Sequence, residues 1–146
     1  MKALVQRVAS ASVDVDGKTV GQIDRGALVL LGIDNTDSER QADKLASRVM
    51  EYRIFADDLG KMNLSLKDID GDILIISQFT LSADTSKGRR PGFSCAASPE
   101  QAKILYDHFI ACCKKYLSRV ETGIFAADMQ VSLVNDGPVT FLLEAK

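Results

Sequence analysis

The chain has 146 residues, 46% of them hydrophobic and 26% charged, with a formal net charge of -2. That length fits a single domain, and folding should bury about 70% of the unfolded surface, enough for a core without staples. No apolar run approaches the roughly 20 residues of a membrane helix. A faintly acidic chain also has the wrong sign for a broad DNA- or RNA-binding face, although a local grip on one phosphate-bearing end stays open.

The opening, MKALVQRVAS, places one Lys ahead of a strand-like pattern and has neither an apolar core nor a cleavage site. A secretory leader is therefore not expected, and a cytoplasmic location is. VQRVASASVDV (Val5 to Val15) reads as a strand, Asp16-Gly17 as a two-residue turn and KTVGQI as the returning strand of a hairpin. ALVLLGI, Ala27 to Ile33, is a continuous apolar run of the kind found in a strand covered on both faces. The period then changes. Thr36 with Glu39 three places on reads as a capping box, and Ala42, Leu45, Ala46, Val49 and Met50 follow at helical spacing, predicting an amphipathic helix over 37–52.

YRIFAD leads into a polar connection that ends at Gly71, and DILIISQFTL, Asp72 to Leu81, reads as the second buried strand. A long loop from Ser82 to Ala97 carries the one dense basic cluster, KGRRPG, either a solvated loop or a phosphate contact. Ser98-Pro99-Glu100-Gln101 is a helix start, with Ser as N-cap, Pro at the first helical position and Gln reaching back. Ala102, Leu105, Tyr106, Phe109, Ile110 and Cys113 form its apolar stripe, and RVETGIF, MQVSLVN and PVTFLLE complete the chain as strands. These elements predict an α/β chain of mixed α+β character, one domain over 1–146, with two main helices covering one side of sheet.

Several chemistries are excluded. Cys95, Cys112 and Cys113 are odd in number and fit neither a disulfide framework nor a zinc spacing, so reduced thiols acting as small core hydrophobes are expected. The only histidine, His108, falls off the apolar stripe of its helix and should face solvent. A Ser-His-Asp or Cys-His arrangement then has no base, and metal ligation by His and Cys is not expected. Neither a P-loop nor a dinucleotide-binding glycine pattern is present.

Two stretches remain. SQFTL, Ser77 to Leu81, stands where a buried strand runs out, so Ser77 and Thr80 are either nucleophiles or turn-bonding hydroxyls. NDGPVTF, Asn135 to Phe141, interrupts apolar sequence with residues that tight turns select. Together, and in this order, they resemble the D-aminoacyl-tRNA deacylase family, whose signatures are SQFTL and NxGPVT. MKALVQRVASASV, with Arg7, and GRRPGFS are similar to that family too, and the resemblance spans essentially the whole chain.

The resemblance implies a three-layer β/β/α fold and a homodimer with its sites at the subunit interface. It implies hydrolysis of the ester joining a D-amino acid, or glycine mischarged on tRNA(Ala), to the tRNA 3′ end, with no metal or cofactor. Gly137 and Pro138 would form a cis pair lent to the partner's pocket, where main-chain atoms reject L-amino acids. Ser77, Gln78, Phe79 and Thr80 would line the catalytic pocket, with backbone N–H groups near Phe79 and Thr80 stabilising the oxyanion and the terminal ribose 2′-OH assisting water. Phe125 and Met129 match positions that pack around the terminal adenine, and Arg7 matches the residue that holds the Gly-Pro loop. From pattern alone, Phe125 and Met129 are equally core residues and Arg7 a strand-edge arginine. A non-catalytic RNA-end binding module and a small-ester hydrolase are the competing classes.

Overall fold

The structure, a computed structural model, describes residues 1–146. In chain order its elements are β1 (Lys2–Val15), β2 (Lys18–Ile23), β3 (Gly26–Gly32), α1 (Glu39–Glu51), β4 (Phe55–Ala56) and β5 (Met62–Leu64). There follow the short helix α2 (Leu66–Ile69), β6 (Asp72–Ser77), a 3₁₀ turn (Phe79–Ser82), α3 (Pro99–Cys113), β7 (Val120–Thr122) and β8 (Gln130–Glu144). The mixed α/β, sheet-dominated class read from the sequence is the observed one.

The two apolar runs become the central strands. β3 and β6 pair in parallel, Gly26 opposite Asp72 through Leu31 opposite Ser77. Alternate side chains then enter two separate cores. Ala27, Val29, Leu31, Ile73 and Ile75 pack under the helices, with Leu45, Val49, Met50 and Phe109 above them. Leu28, Leu74 and Ile76 point the other way, against Val8, Ala11, Val13 and Ile23 of the β1–β2 hairpin. Burial on both faces is what removed the polar positions from these strands.

β1 holds the layers together. β8 pairs with it from Lys2 to Asp14, while β3 and β2 share its opposite edge. Between Val8 and Ser10 two residues of β1 advance against one of β8. That extra residue reverses the facing pattern, so Ala3 and Val5 enter the helix-side core whereas Ala11 and Val13 enter the second. At the hairpin turn Asp16 and Gly17 both have positive φ, 50° and 74°, as a two-residue turn of this hand requires.

Close approach of backbones sets the glycines that matter. A Cβ on Gly26 would stand 1.8 Å from the carbonyl oxygen of Asp72, so the start of the parallel pair has no room for a side chain.

The structure corrects the sequence at several points. The N-cap of α1 is Ser38 rather than Thr36, and its reciprocal partner is Gln41 rather than Glu39. Gln41 Oε1 accepts from the Ser38 N–H at 3.1 Å, while Asp37 is drawn inward by the amino group of Met1, 2.6 Å from its carboxylate. Gln101 does not turn back on its own helix. Its amide donates to the carbonyls of Asn35 and Asp37, at 3.3 and 3.0 Å, and ties α3 to the β3–α1 loop. The strand expected to reach Leu81 stops at Ser77, and the connection before Gly71 contains the β4–β5 hairpin and α2.

His108 also departs from expectation. It is half-buried against α1, with Nε2 2.8 Å from Asp43 Oδ1 and Nδ1 3.9 Å from Glu39 Oε1. The wheel of α3 alone could not show that α1 lies over that face.

Replacing Gly26 by Ala should cost about 3 kcal/mol or more, because the obstruction is main chain and cannot rotate away. Urea unfolding would read this as a lower midpoint at unchanged slope; a wild-type midpoint would disprove the tight β3–β6 approach.

Candidate active site

The last rung of the β3–β6 ladder is donated by the Gln78 N–H to Leu31 O at 2.8 Å. The chain then winds into the 3₁₀ turn, whose bonds run from Leu81 N to Gln78 O and from Ala83 N to Thr80 O, both 3.2 Å. The N–H groups of Phe79 and Thr80 precede the first of these bonds and have no partner inside the turn. The turn can fold back over β3 because residue 32 is Gly: a Cβ there would meet Leu81 Cβ at 2.7 Å and Gln78 O at 3.3 Å. Gly32 is a supporting residue that the sequence motif did not indicate.

A cavity of about 350 Å³ opens above this strand end. Its floor is Leu31, Ser77, Gln78 and Phe79, and its walls are the start of α3 (Pro99, Ala102), Ala96–Ala97 and Phe125–Ala126. Phe125 is held by Tyr106, ring centroids 5.8 Å apart, and the Tyr106 hydroxyl donates to Ile75 O at 2.8 Å. Burial pushes the Tyr106 phenol well above its usual range, so it stays a neutral donor. Tyr106 read from the sequence as ordinary core; only its bond to the central strand shows it bracing the cavity wall.

A second cavity of about 250 Å³ lies beyond Gln78 and Phe79, lined by Ile76, Met129, Ala126, Ala127 and Val131. Phe125 and Met129 are thus on opposite sides of the Gln78–Phe79 segment. Met129 seats closely because residue 123 is Gly, where a Cβ would come within 2.5 Å of its sulfur. Ala126 borders both cavities and has φ of 62°, a left-handed backbone that costs a non-glycine residue roughly 1–2 kcal/mol.

The main cavity has no titratable lining residue. Thr80 stands exposed at its edge, and its hydroxyl accepts from Gln78 Nε2 at 2.6 Å. Phe79 is 62% exposed and packs on Phe93 at 5.1 Å. His108 is distant from this site, at the α1–α3 seam, where Asp43, His108 and Cys112 bring one donor atom each within 4.8 Å of one another. There the Cys112 thiol donates to Asp43 at 3.1 Å, and burial pushes the thiol up to about 11, so the proton stays on sulfur at neutral pH. These three residues could hold a metal ion, a grouping that no sequence spacing showed because Asp43 comes from the other helix.

Asn135 to Thr140 is not a turn between two strands. β8 runs on through it, and residues 136–139 bulge out opposite the single residue Arg7. The Gly137–Pro138 peptide bond is cis. Arg7 Nε donates to Asp136 O at 2.9 Å and Nη1 to Ile54 O at 2.7 Å. Asn135 closes the bulge from below, accepting from Val139 N and donating to Thr140 Oγ1, both at 3.0 Å. Gly137 has φ of 142°, and a Cβ there would stand 2.6 Å from Val139 Cγ2.

Within one chain the bulge and the main cavity do not meet. β1 and β3 lie between β8 and β6, and Arg7 aligns through Ala27 with Ile73, four residues short of Ser77. At about 4.8 Å per strand and 3.3 Å per residue, Gly137 and Ser77 are roughly 20 Å apart. The residues singled out from the sequence fall into two groups, Ser77–Thr80 with Phe125 and Met129 on either side of them, and Arg7 with Gly137–Pro138 on β8.

The D-Tyr-tRNA(Tyr) deacylase family matches residues 4–144. Proteins named D-aminoacyl-tRNA deacylase from Shewanella loihica and Cellvibrio japonicus are 60% and 59% identical to the chain over 144 residues, each alignment covering 99% of both partners. Among solved structures, one titled c-Myc DNA Unwinding Element Binding Protein superposes with a TM-score of 0.96 at 40% identity, covering 100% of this chain and 99% of its own. Another, a probable eukaryotic D-amino acid tRNA deacylase, shares the fold at a TM-score of 0.84 and 19% identity, with 98% of each chain covered. With the family matched over residues 4–144 and 59–60% identity across nearly the full length of proteins so named, the chain belongs to the D-aminoacyl-tRNA deacylase family.

Proposed function

We propose that the chain hydrolyses the ester of D-aminoacyl-tRNA through a site assembled from two copies of itself. The observation that carries this reading is the main cavity's lack of any titratable side chain. Such a cavity suits a reaction that needs little from side chains. An aminoacyl ester is an activated carbonyl, and the Phe79 and Thr80 N–H groups would bind the oxyanion that forms as water adds. A donor of this kind is worth about 10²–10³ in rate. The terminal ribose 2′-OH, beside the scissile ester, is the group that assists the attacking water. Phe125 and Met129 line separate cavities on either side of Gln78–Phe79, and either apolar wall would suit the flat face of the terminal adenine.

Stereochemical selection is assigned to the bulge of β8. Asp136 to Pro138 are exposed, and Arg7 and Asn135 fix their main chain. The strand that carries them pairs on one edge only and exposes Leu133, Val134 and Leu142. A long unpaired edge with apolar side chains is a surface that a second protomer would cover. Set across that interface, the bulge would enter the partner's cavity and offer main-chain carbonyls to the substrate's α-ammonium group. With ammonium and ester both held, an L side chain meets backbone, a D side chain projects outward and glycine fits either way. Exclusion by backbone is independent of side-chain chemistry, which suits a proofreader of many amino acids and a tRNA partner in the cytoplasm.

The direct test is paired deacylation. The purified protein should release D-Tyr from D-Tyr-tRNA at least about 100-fold faster than L-Tyr from L-Tyr-tRNA, a difference of roughly 2.7 kcal/mol at the transition state; equal rates would refute the reading.

Thr80→Ala keeps the backbone donor and loses the hydroxyl, so activity within about tenfold of wild type is expected. A covalent acyl-enzyme at Thr80, trapped by acid quench and seen by mass spectrometry, would instead make the hydroxyl a nucleophile.

A third measurement concerns the shared site. Gly137→Val breaks the bulge and Ala102→Phe fills the cavity, and each alone should be inactive. Equal mixing gives half mixed dimers with one intact site of two, so about a quarter of wild-type activity should return. No recovery after demonstrated subunit exchange would place the whole site within one chain.

A further inference from the structure

The long loop between the 3₁₀ turn and α3 has no role in the chemistry above, yet it grows directly out of the site. Its base is clamped: Asp84 N donates to Gly92 O at 2.8 Å and Gly92 N to Asp84 O at 3.0 Å. The returning leg is fixed to the end of β3 by Asn35 N to Cys95 O at 2.8 Å and Ala97 N to Ile33 O at 3.0 Å, and Ala96–Ala97 then form the cavity wall. The tip is therefore anchored on both sides within a few residues of the cavity.

That tip is cationic against the sign of the molecule. Residues 83–97 contain Lys87, Arg89 and Arg90 and a single acid, Asp84, a local balance of three minus one, or +2, in a chain of net charge -2. The Asp84 carboxylate is turned into the loop, accepting from Ser86 N at 2.9 Å. None of the three cations forms an ion pair, unlike Lys2, Arg7, Lys103, Arg119 and Lys146, and all three are exposed. At the foot of the loop Phe93 is 40% exposed and leans on Phe79 at the cavity mouth. Unpaired cations in sequence beside exposed aromatic rings are the surface that single-stranded nucleic acid recognises, phosphates on the charges and bases on the rings. Four residues, 87–90, span at most about 14 Å of chain, a length over which one RNA strand presents successive phosphates.

We propose that Lys87, Arg89 and Arg90 grip the phosphates just upstream of the terminal nucleotide, with Phe93 as a stacking surface, so that this loop binds the single-stranded 3′ end and delivers the ester to the cavity. The proposal rests on the deacylase reading and supplies what the neutral, apolar cavity lacks, an attraction for a polyanion. It also accounts for how an acidic protein could hold RNA: three cations stand together, within four residues, beside the cavity that the strand end must reach.

The test compares wild type with the Lys87→Ala/Arg89→Ala/Arg90→Ala variant, and with a control of equal net charge in which Lys18, Lys61 and Lys114 are replaced by Ala. Deacylation of D-Tyr-tRNA should show KM raised about tenfold or more in the loop variant at near-physiological salt. Three lost contacts to a single strand should flatten the plot of log(kcat/KM) against log[salt] by about 2. The control variant should keep the wild-type slope. On the phosphate-free substrate O-D-tyrosyl-adenosine the loop variant should lose at least tenfold less activity than it loses on tRNA. Binding of uncharged tRNA by fluorescence anisotropy reads the grip without chemistry, and should weaken about tenfold or more. A wild type that binds tRNA but deacylates nothing would sink the deacylase reading and leave the grip standing. An unchanged slope and affinity in the loop variant, or equal loss on tRNA and on the adenosine ester, would overturn the grip.

Discussion

The site depends on a parallel ladder that ends abruptly. Leu31 and Ser77 are the last paired residues of the two central strands, and one further rung, from Gln78 to Leu31, fixes the chain as it leaves the sheet. Beyond that rung the polypeptide leaves the ladder and winds into a turn whose first amides have no partner within it. Everything else near the cavity serves this ending: Gly32 makes room for the turn, Tyr106 ties α3 to the strand beneath it, and the clamped loop supplies a wall. Strand ends in such sheets are places where backbone donors come free while the scaffold stays rigid.

The proposed chemistry starts from what the cavity omits. Acid–base enzymes tune buried carboxylates and imidazoles, whereas this cavity offers amides, hydroxyls and apolar walls. Catalysis in the proposed reading is electrostatic and positional, drawing on fixed dipoles and on the substrate's own hydroxyl. The single histidine joins two helices instead, with Asp43 and Cys112, and the shifted thiols of Cys112 and Cys113, raised by burial to about 11 and about 12, belong to that seam and the core.

A fold with one edge strand of 15 residues carries an unfinished surface. In β8 the bulge at residues 136–139 interrupts the regular register that invites edge-to-edge growth and raises a rigid main-chain ridge held by Arg7. The same device would thus blunt an aggregation-prone edge and, in the proposed dimer, equip a partner's cavity. The roughly 20 Å between bulge and cavity within one chain is the geometric reason for placing them together across two.

Much of this was legible one residue at a time. Unbroken apolar runs marked strands buried on both faces, the stripes from Ala42 to Met50 and from Leu105 to Cys113 marked the helix faces, and Asp16-Gly17 marked the hairpin, because burial and turn geometry act over a few neighbouring positions. SQFTL likewise marked where a strand runs out. Facts that join distant segments were not legible. Ser38 rather than Thr36 caps α1, Asp37 is drawn inward to the amino group of Met1, Gln101 turned toward the β3–α1 loop, and His108 met Asp43 across a helix seam. The Gly-Pro stretch read as a turn because turn residues are selected locally; only pairing with β1 on both sides showed it to be a bulge within one strand. The sequence by itself determined which segments are strand or helix and which faces are apolar. Tertiary structure decided which polar groups meet, since hydrogen bonds between remote segments depend on positions in space that no local pattern encodes.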